Sequence, residues 1–167
     1  PIPFMPPFLK LDISGVPILI AAFIFGPFEA ITVTLLKDFV HLLSTQTGGV
    51  GELADFIILA SFSVVVSYIY RKFKTKKGAG ISLICGAVTI AIMGGLTNKF
   101  MLIPFYSKVM PIEAIVDVCS KVNPMIDSIN AYIIFGAVPF NVIKGAVISF
   151  ITLVVYKKLS VYIKSRI

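Results

Sequence analysis

Two stretches of this chain are too long and too apolar for a water-soluble domain. Residues 79–103 carry one charged side chain, Lys99, and residues 131–156 carry one, Lys144. As a helix, each reaches about 38 Å at 1.5 Å per residue, beyond the roughly 30 Å hydrocarbon core of a bilayer. The whole chain is 57% hydrophobic and 14% charged, whereas soluble domains hold roughly 45–50% and about 25%. That composition excludes disorder, and it excludes a soluble enzyme because no water-compatible surface can be assembled from it. In lipid the backbone must satisfy its own hydrogen bonds, which leaves helices for spans of this kind. The expected fold is an all-α, polytopic transmembrane bundle, with 1–167 as a single domain. Trp is absent, so an aromatic belt must come from the 6 Tyr and 14 Phe.

The formal net charge of +7 marks topology rather than nucleic-acid binding. Five cations sit in Arg71-Lys72-Phe73-Lys74-Thr75-Lys76-Lys77, and four more are Lys157, Lys158, Lys164 and Arg166. Setting these nine of the 15 cations aside leaves six against eight acids, a net of −2. Basic residues packed beside apolar spans mark the cytoplasmic side. No groove-reading or base-stacking motif accompanies them, so no nucleic-acid partner is expected.

The apolar segments divide as 12–26, 27–44, 52–70, 79–103 and 131–156. The apolar part of the first, 16–25, reaches only about 15 Å, so it must begin near Asp12 or cross obliquely. Gly26-Pro27 ends it, and Pro27 suits the first turn of the next helix. Gly48-Gly49-Val50-Gly51 forms a tight loop, and Pro104 is expected to stop the fourth segment. Residues 1–12 and 105–130 are expected as outer loops, the latter with short amphipathic turns of helix. The basic run and the tail are two spans apart, so both can face the cytoplasm, with the Gly26-Pro27 turn on their side. Pro1 to Phe8 lacks the basic start of a signal peptide, and the chain reads as one whose beginning is missing.

Polar residues at membrane depth are the candidate site. Lys144 lies about 18–20 Å from either end of its segment, too deep to snorkel out, and such residues usually face a cavity. Asn141 shares its helix face. Pro139 is expected to break the hydrogen-bond ladder and bare the carbonyl of Phe135. The alternative for Lys144 is a structural ion pair with an acid on another helix. Asn98 can turn into the same outer cavity while Lys99 snorkels, or it can serve only as hydrogen-bonding glue between helices. Glu52 with Asp55, and Lys37 and Asp38 with His41, share helix faces. They fit either salt bridging between segments two and three or a proton relay, the latter implying a proton-coupled small-molecule carrier. Ala87, Ala91 and Gly95 form a line of small residues suited to close helix packing. The stiff apolar N-terminal segment around Phe4 and Phe8 could cap an outward-facing pocket.

No metal cluster, disulfide framework or catalytic constellation occurs, and GxxxxGK[ST] is absent, so the chain is not expected to be an enzyme or to hydrolyse ATP. Cys85 falls in an apolar run and Cys119 in a predicted loop.

Phe8-Leu9-Lys10-Leu11-Asp12-Ile13-Ser14-Gly15-Val16-Pro17, followed by Ala21-Ala22-Phe23-Ile24-Phe25-Gly26-Pro27, resembles the substrate-binding S components of energy-coupling factor (ECF) vitamin transporters, most closely their riboflavin-specific (RibU) type. Leu36-Lys37, His41-Leu42-Leu43, Thr47-Gly48-Gly49-Val50-Gly51-Glu52-Leu53-Ala54 and the Tyr70-Arg71-Lys72…Lys76-Lys77-Gly78-Ala79 turn continue the likeness. Asn98, Leu102-Ile103-Pro104 and Pro139-Phe140-Asn141-Val142-Ile143-Lys144-Gly145 complete it. The resemblance implies a six-helix S-component fold with helix 1 largely missing from this chain. That helix carries the family's docking motif for the transmembrane T subunit. It implies a multi-pass protein of the prokaryotic plasma membrane that binds riboflavin from outside and delivers it inward. A T subunit and two cytoplasmic ATPases would be its partners. Asn98, Asn141 and Lys144 would bond the flavin's polar atoms, and Phe8, Leu9, Lys10 and Leu11 would cover its ring. No cofactor is implied; riboflavin is the transported ligand, FMN is a candidate as well, and another vitamin is the alternative within the family. The 105–130 stretch is longer than the family pattern.

Overall fold

The computed structural model describes residues 9, 12–45 and 47–164, with side chains through Lys157. Among the described residues every regular element is helical: α1 (Gly15–Ile24), α2 (Pro27–Leu42), α3 (Val50–Lys72), α4 (Lys76–Tyr106), α5 (Ile112–Ser120) and α6, which runs from Ile129 to Lys164. Three helices are long and apolar enough to cross a membrane, namely α3, α4 and the Ile129–Lys157 part of α6. Phe28, Leu36, Ile84, Ile92 and Phe150 are exposed on the outside of the bundle. There lipid tails replace water, so exposed apolar side chains are expected.

Local chemistry sets the helix ends. Gly26 holds φ 129°, a conformation that side-chain-bearing residues rarely adopt, and hands the chain to Pro27 in the first turn of α2. After the basic run, the Thr75 hydroxyl accepts the Gly78 amide at 2.9 Å and caps α4. Ser128 caps α6 by accepting from the Ala131 amide at 3.2 Å.

The main core joins α1, α3, α4 and α6 through Leu19, Leu59, Phe62, Ile90 and Ile148, all buried. Small residues let these helices touch. A Cβ on Gly86 would lie 2.4 Å from the Phe62 ring, and one on Gly145 would lie 2.7 Å from Ile90. The Ala87–Ala91–Gly95 line is used for this internal packing: Ala87 lies beside Gly145, and Gly95 lies beside Val138.

One end of the bundle collects the basic groups. The Arg71 guanidinium lies 3.1 Å from where a Gly26 Cβ would stand. Phe23, Tyr70 and Tyr156 stack there, with the two tyrosine hydroxyls 2.7 Å apart. The Gly26 turn, the basic run and the end of the last span therefore share one side, as the charge argument requires.

Three boundaries differ from expectation. α1 begins at Gly15 rather than Asp12; at 10 residues it is too short to span alone and is buried against α2, α3 and α6. Pro104 does not stop the fourth helix, because a π-helical turn over Asn98–Leu102 precedes it and the helix continues to Tyr106. A second π-helical turn over Ile133–Ala137 precedes Pro139 in the same way. Each turn ends with an amide bonded five residues back, Ile103 to Asn98 and Val138 to Ile133. The longer reach shifts the ladder past the donor that proline lacks. Phe135, whose carbonyl Pro139 is expected to bare, lies within this second π turn and does not line the cavity described below.

The 105–130 stretch contains α5, which packs Ile115 and Cys119 onto Leu9, Ile103, Ile126, Tyr132 and Phe140. Cys119, expected in a loop, is buried on this helix, and burial pushes its thiol up to about 11.

Candidate functional site

A cavity of about 900 Å³ opens at the end opposite the basic run, between α2, α3, α4 and α6. Leu9, Asn98, Asn141 and Lys144 all line it. Phe8, Lys10 and Leu11 lie outside the described residues. Lys99 points away, exposed over the ring of Phe100 at 5.9 Å.

The two asparagines are fixed by the helices that carry them. Asn98 opens the π turn of α4. Its Nδ2 donates to the Gly94 carbonyl at 2.8 Å, and its Oδ1 accepts the Tyr132 hydroxyl at 2.7 Å. Asn141 donates to the Ala137 carbonyl at 2.8 Å, at the end of the second π turn. Its amide also lies against Gly94, where a Cβ would come within 2.3 Å. Each amide keeps one further donor and acceptor capacity for a ligand. π turns tend to occur where a helix must redirect a side chain at a functional site.

Lys144 is buried, and its ammonium donates to Asp55 Oδ1 at 2.7 Å. Lys144 thus faces the cavity and is also paired with an acid of α3, as the ion-pair alternative expects. Asp55 is bonded in turn by Lys37 of α2. Lys37 also lies 2.8 Å from Asp38 Oδ1 and 3.7 Å from Asp12 Oδ2. Ser14 holds Asp12 through its amide at 2.8 Å and through its hydroxyl. A chain of ion pairs thus ties α2, α3, α6 and the segment before α1 together along the cavity wall. A buried charge without such partners would be strongly unfavourable.

Glu52 accepts from Thr45 at 2.8 Å and Thr47 at 3.0 Å, and its Oε1 is 3.5 Å from His41 Nδ1. The Lys37–Asp55 ion pair joins α2 to α3, whereas Asp38 is paired within α2 by Lys37. His41 is 67% exposed at its side chain.

Sequence reasoning separated Lys144 from Lys37 and Asp55, which the fold joins across 89 positions. It missed Tyr132 altogether. A tyrosine nine positions before Asn141 carries no helical signal linking it to Asn98 on another helix.

A family model described as "ECF transporter, substrate-specific component" matches residues 1–156. Riboflavin transporter RibU of Staphylococcus aureus (strain TCH60) is 34% identical over 164 residues, covering 98% of this chain and 82% of that protein. Riboflavin transporter FmnP of Bacillus subtilis (strain 168) is 28% identical over 169 residues, covering 99% of this chain and 84% of that one. A solved S component of a bacterial ECF transporter superimposes with a TM-score of 0.76 at 32% identity, over 98% of this chain and 85% of that chain. Matched over nearly its whole length in sequence and in fold, the chain belongs to the substrate-specific components of ECF transporters.

Proposed function

We propose that this chain is the riboflavin-binding subunit of an ECF transporter. It is a multi-pass protein of the bacterial cell membrane that takes the vitamin from outside. A T subunit and two ATPases supply the energy. The observation that carries the reading is the convergence of Asn98, Asn141 and Lys144 on one cavity with the apolar walls of Leu9 and Phe140. Riboflavin is a flat ring with a polar edge and a hydroxylated ribityl chain. Apolar walls with a few convergent donors and acceptors are its complement, and the cavity volume falls within the usual range for such ligands. Asn98, Asn141 and Lys144 bond the polar atoms, while Leu9, with Phe8, Lys10 and Leu11 of the same segment, covers the ring.

The test is flavin binding by the purified protein. Riboflavin should bind at micromolar concentration or below, with flavin absorbance retained through purification. Asn141→Ala and Lys144→Ala should each weaken binding by about 1–3 kcal/mol through loss of a buried hydrogen bond. A protein that is colourless and does not bind added riboflavin overturns the assignment; unchanged affinity in both variants removes α6 from the site.

A further inference from the structure

The cavity holds more acid than base. Asp12, Asp38, Glu52 and Asp55 line it against Lys37 and Lys144, a net of −2 with His41 neutral. Both lysines are already committed: Lys144 donates to Asp55, and Lys37 is shared among Asp12, Asp38 and Asp55. Asp38 is 6% exposed, and its Oδ2 accepts no hydrogen bond from the described residues. A buried carboxylate oxygen without a donor is an exception that calls for an explanation.

We propose that Asp38 and Asp55 are specificity-determining residues that make the cavity accept a neutral, hydroxyl-bearing ligand and reject its phosphorylated counterpart. The proposal rests on the riboflavin reading above and adds to it the origin of selectivity. A neutral flavin leaves the charge count unchanged. A phosphate ester at the end of its ribityl chain replaces a donor by a dianion. To be bound, it must draw Lys37 or Lys144 away and leave Asp55 or Asp38 unpaired beside it. Repulsion between like charges is stronger there than in bulk water, because the surrounding helices lower the effective dielectric. Discrimination then comes from a disfavoured competitor as much as from contacts to the right ligand.

The experiment titrates purified native protein, Asp38→Asn and Asp55→Asn with riboflavin and with riboflavin 5′-phosphate, following quenching of flavin fluorescence. The native protein should prefer riboflavin. In each variant the ratio of the two dissociation constants should move towards the phosphate ester by about tenfold or more, the size expected for removing one like charge at this range. A merely structural role would weaken both ligands alike and leave that ratio in place. Should Asp55→Asn fail to fold for want of its two ion pairs, Asp38→Asn decides the matter, since it keeps the side chain's shape. A ratio unchanged within about twofold overturns the selectivity proposal while riboflavin binding stands. Native protein that binds neither flavin overturns the riboflavin reading and this proposal with it.

Discussion

The two ends of the bundle solve the membrane's demand for satisfied polar groups in opposite ways. At the basic end, α1, α3 and α6 meet through Phe23, Tyr70 and Tyr156, and the two tyrosine hydroxyls satisfy each other. Packing dominates there, and the nearby close approach of α3 and α4 depends on Gly86 lying against Phe62. At the cavity end the same helices separate. Two π turns interrupt α4 and α6, and asparagines and lysines line the gap while tied only in part by Gly94, Tyr132, Ala137 and Asp55. Packing completes the first region. The second is pre-organised but incomplete until a ligand joins it, which is how binding energy is kept from being lost to rearrangement.

The comparison breaks first at glycines. Gly86→Ala drives a methyl to 2.4 Å from Phe62 and should destabilise the protein by about 3 kcal/mol, the upper range for overpacking. Its thermal unfolding midpoint in detergent should fall, while riboflavin affinity of the folded fraction stays within about twofold. Gly94→Ala places its methyl 2.3 Å from the Asn141 amide. It should weaken riboflavin binding by about 2 kcal/mol through displacement of that side chain, with a smaller change in the unfolding midpoint. Equal effects of the two substitutions on both measurements would erase the distinction between the regions.

Two tyrosine hydroxyls sharpen it further. Tyr132→Phe removes the 2.7 Å bond that orients Asn98 and should weaken riboflavin binding by about 1 kcal/mol, roughly fivefold. Tyr70→Phe removes the 2.7 Å bond to Tyr156 and should lower stability by about 0.5–1 kcal/mol with no change in affinity. Titration and thermal unfolding of the pair separate positioning from packing.

Much of the site was legible because polar residues stand out in apolar spans. Lys144 and Asn141 could be named from depth and helix face, Asn98 needed the family resemblance as well, and all three reach the cavity. Prolines were read less well. Pro104 and Pro139 each looked like a break, but a one-residue change in hydrogen-bond reach absorbs them. That change depends on neighbouring helices holding the turn, and local propensity does not report it. Cys119 was expected in a loop but lies on α5, one of the short amphipathic helices expected in the 105–130 stretch, facing Ile103, Tyr132 and Phe140.

What the sequence determined by itself was the medium, the rough extent of the longest apolar helices, and which ends share a side. Those depend on run length and on where cations fall, both properties read along the chain. Only the tertiary structure decided that Lys144 meets Asp55, that Lys37 joins them, and that Tyr132 holds Asn98. Ion pairs and hydrogen bonds act over a few ångströms, so their partners are fixed by which helices become neighbours, and no spacing along the chain records that.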